Sequence, residues 1–216
     1  MRSSNTIQPT ALAARLKALG FTLPEAALHG LGTYLALLMK WNKAMNLVGT
    51  RSWEETLDTL VADSFHLAAF LPQTGLPPSP ETFDLGSGAG LPGIPLRLVW
   101  QDGRYTLVEA REKRALFMRT ALASVPLGQT EVFAGRAEHF FAQAAPADCI
   151  ISRAFMPWRD MLTFIENALT PGGRVLFLTL TPAPDTVPAP WRLVAQTRYN
   201  VAGTTRYFWC FARGDA

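Results

Sequence analysis

Long apolar segments and cysteines are scarce in this sequence. Charged residues or prolines interrupt each apolar run well before the ~18 residues that a membrane-spanning helix needs, so we expect no transmembrane helix. Residues 1–6 lack the apolar core of an export signal, and we expect a cytoplasmic protein. The two cysteines, Cys149 and Cys210, lie far apart in apolar, strand-like segments, which favours buried free thiols over a disulfide.

Charged residues are also few, at 17% of the chain, whereas hydrophobic residues make up 49%. This composition excludes a disordered chain and provides a sizeable core. The length of 216 residues fits one large domain, or one domain with a helical extension. The net charge of +3 permits a nucleic-acid partner without requiring one.

The first third of the sequence has the periodicity of helices. Apolar residues three and four positions apart predict a helix over residues 10–20 that stops at its final glycine, a second that runs toward Trp41, and a third that begins near Ser52. Thr22–Glu25 and Ser52–Glu55 both match the capping box that opens a helix.

After a proline-rich segment at residues 76–80, short apolar strands alternate with helices, a pattern typical of a parallel sheet with crossover helices. The last two strands are too close in sequence for a crossover and should pair antiparallel. We therefore predict an α/β fold with a doubly wound, seven-stranded, mostly parallel sheet at residues 82–216, preceded by a helical extension at residues 1–75. The predicted strands are Thr82–Leu85, Arg104–Glu109, Glu131–Ala134, Asp148–Ser152, Arg174–Thr179, Trp191–Tyr199 and Thr204–Ala212.

A glycine-rich loop follows the first predicted strand. Gly86, Gly88 and Gly90 allow tight turns and leave the main chain bare, and N–H groups of the next helix would face a ligand there. Leu91 stands where a dinucleotide-binding loop has its third glycine, and no Gly-Lys-Ser or Gly-Lys-Thr follows. The loop therefore favours a nucleoside without a polyphosphate, although such loops also occur as plain connectors.

Two further positions fit a bound nucleoside. Glu109 ends the second strand, where an acidic side chain accepts hydrogen bonds from ribose hydroxyls in doubly wound folds. Residues 135–138 follow the third strand, where an adenine ring would be covered. With the glycine loop and a Pro-Gly-Gly step before the fifth strand, the pattern resembles class I S-adenosylmethionine methyltransferases. A solvated glutamate and a simple connector are the alternatives at these two positions.

The end of the fourth strand narrows the choice of methyl acceptor. Residues 152–155 lack the Asp/Asn-Pro-Pro-aromatic turn typical of enzymes that methylate exocyclic amines. Methylation at pyrimidine carbon 5 needs a cysteine nucleophile, but Cys149 is better interpreted as a buried packing thiol. Guanine N7 has a free lone pair, so its methylation needs neither that turn nor a cysteine nucleophile. Positioning of the reactants and compensating charge would suffice.

Four sequence blocks in a fixed order carry a closer resemblance. The blocks are Trp41–Leu47, Ala62–Ser64, Asp84–Pro95 and Ile151–Phe155. Together they resemble the bacterial small-subunit rRNA guanine-N7 methyltransferase family, over about residues 25–212. The resemblance implies methyl transfer from S-adenosylmethionine to N7 of one guanine in 16S rRNA near the decoding centre. It implies 16S rRNA or the small ribosomal subunit as the partner, and neither a metal nor a membrane.

The resemblance also implies roles for individual residues. Arg153 and Asn46 would act in catalysis, with Asn46 on the guanine edge or, as an alternative, only capping a helix. Trp41 could stack on a base, although a core tryptophan is the better interpretation. Arg51 would meet RNA. Lys113, Arg114 and Arg153 could meet an RNA phosphate or the methionine carboxylate, with surface solvation as the alternative. The cofactor contacts, including those expected from the glycine loop and the ribose argument, would be Gly86, Gly88, Leu91, Glu109, Ala137, Glu138 and Arg153.

The chain departs from the family pattern at three places. Leu60-Val61 replaces a usual basic or histidine residue, Val48 replaces a threonine, and Thr179-Leu180-Thr181-Pro182 replaces a lysine-glycine step. These changes concern substrate contacts rather than cofactor binding. Two other functions fit the same fold: a small-molecule methyltransferase with the N-terminal helices as a lid, and a non-catalytic protein that binds RNA or senses the cofactor.

Overall fold

The computed structural model describes residues 7–125 and 127–214. The strands of this part of the chain are β1 Glu81–Leu85, β2 Arg104–Glu109, β3 Thr130–Ala134, β4 Ala147–Arg153, β5 Leu169–Thr179, β6 Trp191–Val201 and β7 Thr204–Arg213. They form one sheet in the order β3-β2-β1-β4-β5-β7-β6. Only the pairs β5–β7 and β6–β7 are antiparallel among these strands. The predicted mostly parallel, doubly wound sheet is therefore confirmed.

One strand differs clearly from its prediction. The Pro-Gly-Gly step at residues 171–173 lies inside β5 instead of before it, because Leu169 already pairs with Ala147. From the pair Ala147–Leu169 to the pair Cys149–Arg174 the chain advances two residues in β4 but five in β5, and Gly172 in this extra segment has a φ of +72°. Bulges often use a glycine at positive φ, so the step that looked like a strand boundary is a local irregularity within the strand.

The helices precede and connect these strands. They are α1 Pro9–Ala18, α2 Glu25–Met45, α3 Trp53–Thr56, α4 Ala62–Phe70, α5 Gly93–Arg97, α6 Glu112–Ser124, α7 Ala137–Phe141 and α8 Trp158–Phe164. A π-helical turn at Leu57–Val61 joins α3 directly to α4. The third predicted helix is therefore one continuous helical segment with a widened turn, a feature often found at functional sites.

The helix termini confirm one predicted capping box residue and contradict the other. Ser52 precedes α3, and its hydroxyl accepts the N–H of Glu55 at 3.1 Å. Thr22 is not the cap of α2, because Pro24 occupies that position with an extended ψ of 153° and no side chain caps the helix. The helix therefore starts two residues later than a Thr22 cap would place it. Gly20, with a φ of +86°, follows α1 as predicted.

The helices cover both faces of the sheet and enclose two apolar layers. The N-terminal helices, α5 and α6 pack on one face, where Tyr34, Phe65 and Phe117 meet Ile151 of the sheet. On the other face α7 and α8 pack against residues such as Phe83. The N-terminal helices thus share a core with the sheet. Cys149 and Cys210 are buried free thiols, as predicted, and burial raises the pKa of the Cys149 thiol well above its usual value.

A fully buried arginine fixes the segment that follows the glycine loop. Arg97 ends α5 with 0% of its surface exposed, and its guanidinium donates to five backbone carbonyls and to the Thr130 hydroxyl. The carbonyls belong to residues 100–103 and to Gly128. A planar guanidinium can satisfy this many acceptors, which a lysine could not. Nothing in the sequence pattern indicates this role.

No helix in the described ranges, 7–125 and 127–214, has the length and apolar character to cross a membrane.

Candidate cofactor and RNA site

The glycine loop has the backbone geometry that its sequence predicts. Gly86, Gly88 and Gly90 have φ values of +70°, +60° and +78°, a region that side chains with a Cβ rarely adopt. The N–H groups of Gly86 and Ser87 both donate to the carbonyl of Val108, at 2.9 and 3.2 Å. The loop is therefore tied to the end of β2 and presents bare main chain at the carboxyl edge of the sheet.

Two N-terminal helices hold the loop from the other side. The Tyr34 hydroxyl of α2 donates to the carbonyl of Ala89 at 2.8 Å, and the Ser64 hydroxyl of α4 donates to the carbonyl of Pro92 at 2.9 Å. Tyr34 is fully buried, which raises the pKa of its hydroxyl far above the usual value and keeps it a donor. The helical extension therefore helps to shape the loop.

The carboxylate of Glu109 lies directly under the loop. Its two oxygens accept the N–H groups of Gly88 and Arg111, each at 2.9 Å, and only 6% of the residue is exposed. Because each carboxylate oxygen has a second lone pair, a ribose hydroxyl could still donate to it. The structure thus places Glu109 beside the loop, as the sequence predicts, and adds the Gly88 contact, which the sequence does not reveal.

A second buried carboxylate, Asp84, is the penultimate residue of β1, beneath the loop. Its Oδ2 accepts the Tyr105 hydroxyl at 3.1 Å, and 1% of the residue is exposed. Burial raises the pKa of Asp84 to about 7, and the hydrogen bonds from Tyr105 and from the Gly93 backbone oppose this shift only in part. Asp84 therefore changes charge near neutral pH at the base of the glycine loop.

Arg153 extends from the end of β4 toward α4. Its guanidinium lies 3.5 Å from the carboxylate of Asp63 and donates to the carbonyl of Leu60 at 3.3 Å. The side chain is 22% exposed. Leu60 belongs to the π-helical turn, so this irregular turn supplies an acceptor to the predicted site residue.

Two side chains lie over the glycines. A Cβ built on Gly88 would stand 3.5 Å from the Arg114 guanidinium, and one built on Gly86 would stand 2.7 Å from the Phe155 ring. Phe155 follows Ala154, whose φ of +56° is unusual for a residue with a Cβ. Such strained residues cluster at functional sites. The turn after β4 therefore carries Phe155 onto the loop, a contact that the sequence did not suggest.

The site residues predicted after β3 lie next to Glu109. The N–H of Gly135 donates to the Glu109 carbonyl at 3.0 Å, and α7 begins two residues later at Ala137. Ala137 is 5% exposed, whereas Glu138 is exposed and pairs with Arg136 at 3.0 Å. The chain turn that would cover an adenine is thus at the same edge of the sheet as the glycine loop.

The predicted RNA-binding residues lie in two places. Arg114 is half-buried at the glycine loop, and its neighbour Lys113 is exposed in the first turn of α6. Asn46 and Arg51 lie in a separate cleft of about 700 Å³ formed between the end of α2 and Trp53. Among the described residues, no hydrogen bond or ion pair joins this cleft to the glycine loop. The structure groups the cofactor residues closely and the RNA residues only loosely.

Asn46 is a helix terminus in this structure. It caps α2 with a left-handed φ of +48°, and its side chain is exposed. Asn42, to which the sequence pattern assigns no role, holds the loop instead, since its amide donates to the carbonyl of Thr50 at 3.0 Å and accepts the N–H of Val48 at 2.9 Å. Trp41 packs edge-on against Phe117 with ring centroids 5.7 Å apart, which confirms its interpretation as a packing residue.

The part of the chain that the structure describes contains no group of three or more histidine, cysteine, aspartate or glutamate side chains that could hold a metal ion.

The family model for GidB, rRNA small subunit methyltransferase G, matches residues 27–185 of this chain. The matched range includes α2 with Tyr34, the glycine loop, Glu109, Glu138 and Arg153. The chain belongs to the rRNA small subunit methyltransferase G family.

Relatives in this family are similar along most of their length. The ribosomal RNA small subunit methyltransferase G of Nitratidesulfovibrio vulgaris is 56% identical over 190 residues, which cover 88% of this chain and 87% of the relative. The protein of the same name from Oleidesulfovibrio alaskensis is 48% identical over 212 residues, covering 92% and 91%. The methyltransferase G family match therefore extends well beyond the glycine loop.

Solved structures support the fold. An O-methyltransferase from Bacillus cereus in complex with SAH superimposes with a TM-score of 0.63 at 15% identity, covering 95% of this chain and 100% of that chain. A putative methyltransferase, yhhF from Escherichia coli, superimposes with a TM-score of 0.54 at 19% identity, covering 71% and 84%. At these identities the likeness concerns the fold, which is that of class I methyltransferases.

The residues at this edge fit the chemical groups of S-adenosylmethionine. The buried carboxylate of Glu109 suits a ribose diol, and the glycines leave bare main chain under Phe155 and Arg114, where a side chain at Gly86 would run into the Phe155 ring. The guanidinium groups of Arg114 and Arg153 suit the carboxylate of a methionine moiety. The cofactor predicted from the sequence is therefore compatible with the donors and acceptors present.

Proposed function

We propose that this chain transfers the methyl group of S-adenosylmethionine to N7 of a specific guanine in 16S rRNA. The observation that carries the proposal is the methyltransferase G family match over residues 27–185, supported by relatives up to 56% identical along 88% of the chain. The geometry at the carboxyl edge of the sheet is compatible with this activity, because buried acceptors and cations surround a bare glycine loop.

The reaction needs little proton chemistry from the protein. Guanine N7 carries a lone pair and no proton, so it forms the new bond to carbon without a general base. When bound, the cofactor would supply an electrophilic methyl group on a sulfonium: as N7 bonds to the methyl carbon, the carbon–sulfur bond would break with its electron pair going to sulfur, the thioether S-adenosylhomocysteine would leave, and the methylated guanine would take the positive charge. The protein must therefore hold the nitrogen in line with the methyl group and exclude water.

Several residues of this chain would hold the cofactor. We assign the loop of Gly86, Gly88 and Leu91 to the methionine moiety and Glu109 to the ribose hydroxyls. The turn at Ala137 and Glu138 would cover the adenine ring, with the buried Ala137 packing on it. These roles are supported by the position of the residues at the ends of β1, β2 and β3.

The substrate would approach over Arg153 and the N-terminal helices. We propose that Arg153 acts at the catalytic centre, since it lies between the end of β4 and α4, and that Lys113, Arg114 and Arg51 bind RNA phosphates. Asn46 would contact the guanine edge from the cleft beside α2. In this scheme residues 1–75 form an extension of the catalytic domain at 82–216 and one wall of the RNA site.

The decisive experiment is a transfer assay with labelled S-adenosylmethionine. Three acceptors are compared: small ribosomal subunits, naked 16S rRNA and a metabolite extract. We expect label in the rRNA, at a single guanine that reverse transcription after cleavage at N7-methylguanine locates. The first two acceptors also decide whether the assembled subunit or the free RNA is the substrate. We propose that the enzyme meets this substrate in the cytoplasm.

Other outcomes would contradict the proposal. Label only in small molecules would favour the small-molecule methyltransferase. Tight cofactor binding without transfer to any acceptor would favour a protein that senses the cofactor or binds RNA.

A further inference from the structure

The carboxylate of Asp63 is the centre of a buried polar cluster. Asp63 lies in α4 with 2% of its surface exposed. Its Oδ1 accepts the Tyr199 hydroxyl at 3.0 Å, and its Oδ2 accepts a guanidinium N–H of Arg206 at 2.5 Å. The Arg153 guanidinium lies 3.5 Å from the same Oδ2. Burying a carboxylate away from water costs free energy unless it has such partners. The contacts to Asp63 therefore favour one arrangement of these side chains.

The cluster joins three elements at the carboxyl edge of the sheet. Arg153 ends β4, and Asp63 stands beside Ser64, whose hydroxyl holds the carbonyl of Pro92. Tyr199 and Arg206 are directly opposite each other in the β6–β7 hairpin. The carboxylate therefore connects the hairpin to α4, and α4 to the segment after the glycine loop.

The charges in the cluster do not cancel. Two guanidinium groups face the Asp63 carboxylate, so the cluster itself has one positive charge in excess. Asp84 also interacts with Arg153, but burial raises its pKa to about 7, so it offsets this charge only in part at neutral pH. The His66 ring lies beside Tyr199, with centroids 4.7 Å apart, and burial lowers the pKa of His66 below its usual value, so that it is neutral at neutral pH. A partly buried excess of positive charge favours the binding of an anion.

Of the residues in the cluster, Arg153 is the one that can bind this anion. Arg206 already provides a short contact to the Asp63 carboxylate, so the longer contact of Arg153 is not needed to neutralise it. Arg153 uses one of its five N–H groups in a hydrogen bond to the described residues, that to Leu60. The ion pair with Asp63 thus orients a guanidinium whose other donors remain available.

We propose that Asp63 is the positioning residue for Arg153, and that together they prepare Arg153 to bind an oxyanion of the substrates. The oxyanion is the carboxylate of S-adenosylmethionine or a phosphate of the rRNA. This inference rests on the proposed function for the identity of the ligands. Asp63 itself contacts neither ligand and acts through the orientation of the Arg153 guanidinium.

The test is a double-mutant cycle on ligand binding. Asp63→Asn keeps the size of the side chain and an acceptor for Tyr199 but removes the charge, and Arg153→Ala removes the guanidinium. Dissociation constants are measured by calorimetry for S-adenosylmethionine and, separately, for 16S rRNA. We expect each single variant to raise the dissociation constant of one of the two ligands about tenfold. The double variant should bind no more weakly than the more affected single variant.

The two titrations distinguish the source of the oxyanion. Weaker cofactor binding in the absence of RNA assigns Arg153 to the cofactor carboxylate. Weaker RNA binding with unchanged cofactor affinity assigns it to a phosphate. In transfer assays the KM for the same ligand should rise more than kcat falls, and Asp63→Glu, which keeps the charge, should recover part of the affinity.

A matched control and a stability measurement separate positioning from a purely structural role. Arg104→Ala removes another arginine–carboxylate pair, that with Glu81 at 3.3 Å at the opposite edge of the sheet, and should leave both affinities unchanged. Additive losses in the double variant would overturn the proposal. So would a lower Tm of Asp63→Asn with both dissociation constants unchanged. Because the readouts are affinities, a wild-type chain that fails to methylate rRNA would refute the proposed function alone.

Discussion

Glycine at position 86 is required both by the backbone and by the space around it. Its φ of +70° disfavours any side chain with a Cβ, and the Phe155 ring occupies the position next to that Cβ. The glycine loop was evident from the sequence, whereas the ring that covers it comes from a turn 69 residues away in the chain. The local sequence pattern therefore predicted the glycine loop, whereas the position of Phe155 over the loop depends on the tertiary fold.

Gly86→Val should abolish detectable binding of S-adenosylmethionine. The added side chain would displace Phe155 or the loop, and calorimetry measures the loss. Gly20→Val is a matched control, because Gly20 has a similar φ of +86° but open space around its Cβ position. That variant should lose stability and keep cofactor affinity. Unchanged affinity in Gly86→Val would mean that the cofactor binds elsewhere.

Asp84 gives the stability of the protein a pH dependence with a defined sign. Burial raises its pKa from 3.8 to about 7, so the folded state holds a proton that the unfolded chain has already lost in this interval. The free energy of unfolding should therefore fall as the pH rises from about 4 to about 7. Over the whole interval the contribution is roughly 4 kcal/mol.

Asp84→Asn should remove this contribution. From pH 5 to pH 8 the free energy of unfolding of the wild-type chain should fall by roughly 3 kcal/mol more than that of the variant. Urea unfolding at both pH values measures this difference. Asp102→Asn, at an exposed position, is the control and should follow the wild type. Parallel pH profiles for the wild type and Asp84→Asn would refute the assignment.

At the scale of elements, the two predicted capping boxes had different outcomes for a physical reason. Both Thr22 and Ser52 stand three residues before a glutamate, so the local pattern is the same. Pro24 keeps an extended backbone and delays the start of α2, whereas nothing interrupts the turn after Ser52. The spacing between the capping residue and the glutamate does not specify the backbone conformation of the residues between them.

Ser52→Ala should therefore destabilise the protein by about 1 kcal/mol, because the N–H of Glu55 loses its acceptor at the start of the helical segment that carries Leu60 and Asp63. Thr22→Ala should cost much less, since Thr22 caps no helix here. Urea unfolding of the two variants compares them directly. Equal losses would show that the Ser52 contact contributes nothing specific.

At the scale of the whole molecule, positive charge is grouped by the fold at the carboxyl edge of the sheet. Lys113 and Arg114 start α6, which follows β2, and Arg153 ends β4. The net charge of +3 did not reveal this arrangement, because it depends on which strand ends meet at one edge.

Replacing Arg51, Lys113 and Arg114 together by alanine should weaken rRNA binding and reduce its dependence on salt. If each cation neutralises one phosphate, the slope of log affinity against log salt concentration should decrease by about 2. Filter binding at several salt concentrations measures this slope. The control replaces Arg104, Arg192 and Arg213, which lie at the opposite edge and lower the net charge equally. Equal slopes for the two triple variants would refute a specific RNA face.

The fold class, the glycine loop and the acidic residue at the end of β2 were predictable from the sequence. These features depend on short-range patterns: strand and helix periodicity, glycines where φ is positive, and a side chain at a strand end. The four blocks of the methyltransferase G family likewise identified the family and its cofactor before any geometry was known. Local patterns sufficed because each feature is carried by residues that are close in the chain.

The contacts between distant residues could not be predicted from the sequence, because they depend on how the folded elements pack. Asp63 is an aspartate within an apolar helix in the sequence, and its partners Arg153, Tyr199 and Arg206 are 90 to 143 residues away. The hydrogen bonds of Arg97 to Gly128 and Thr130, and that of Tyr34 to the glycine loop, likewise join residues that are distant in the sequence. A buried charge needs partners, but the sequence does not say which ones. The packing of α4, β4 and the hairpin around one carboxylate supplies them.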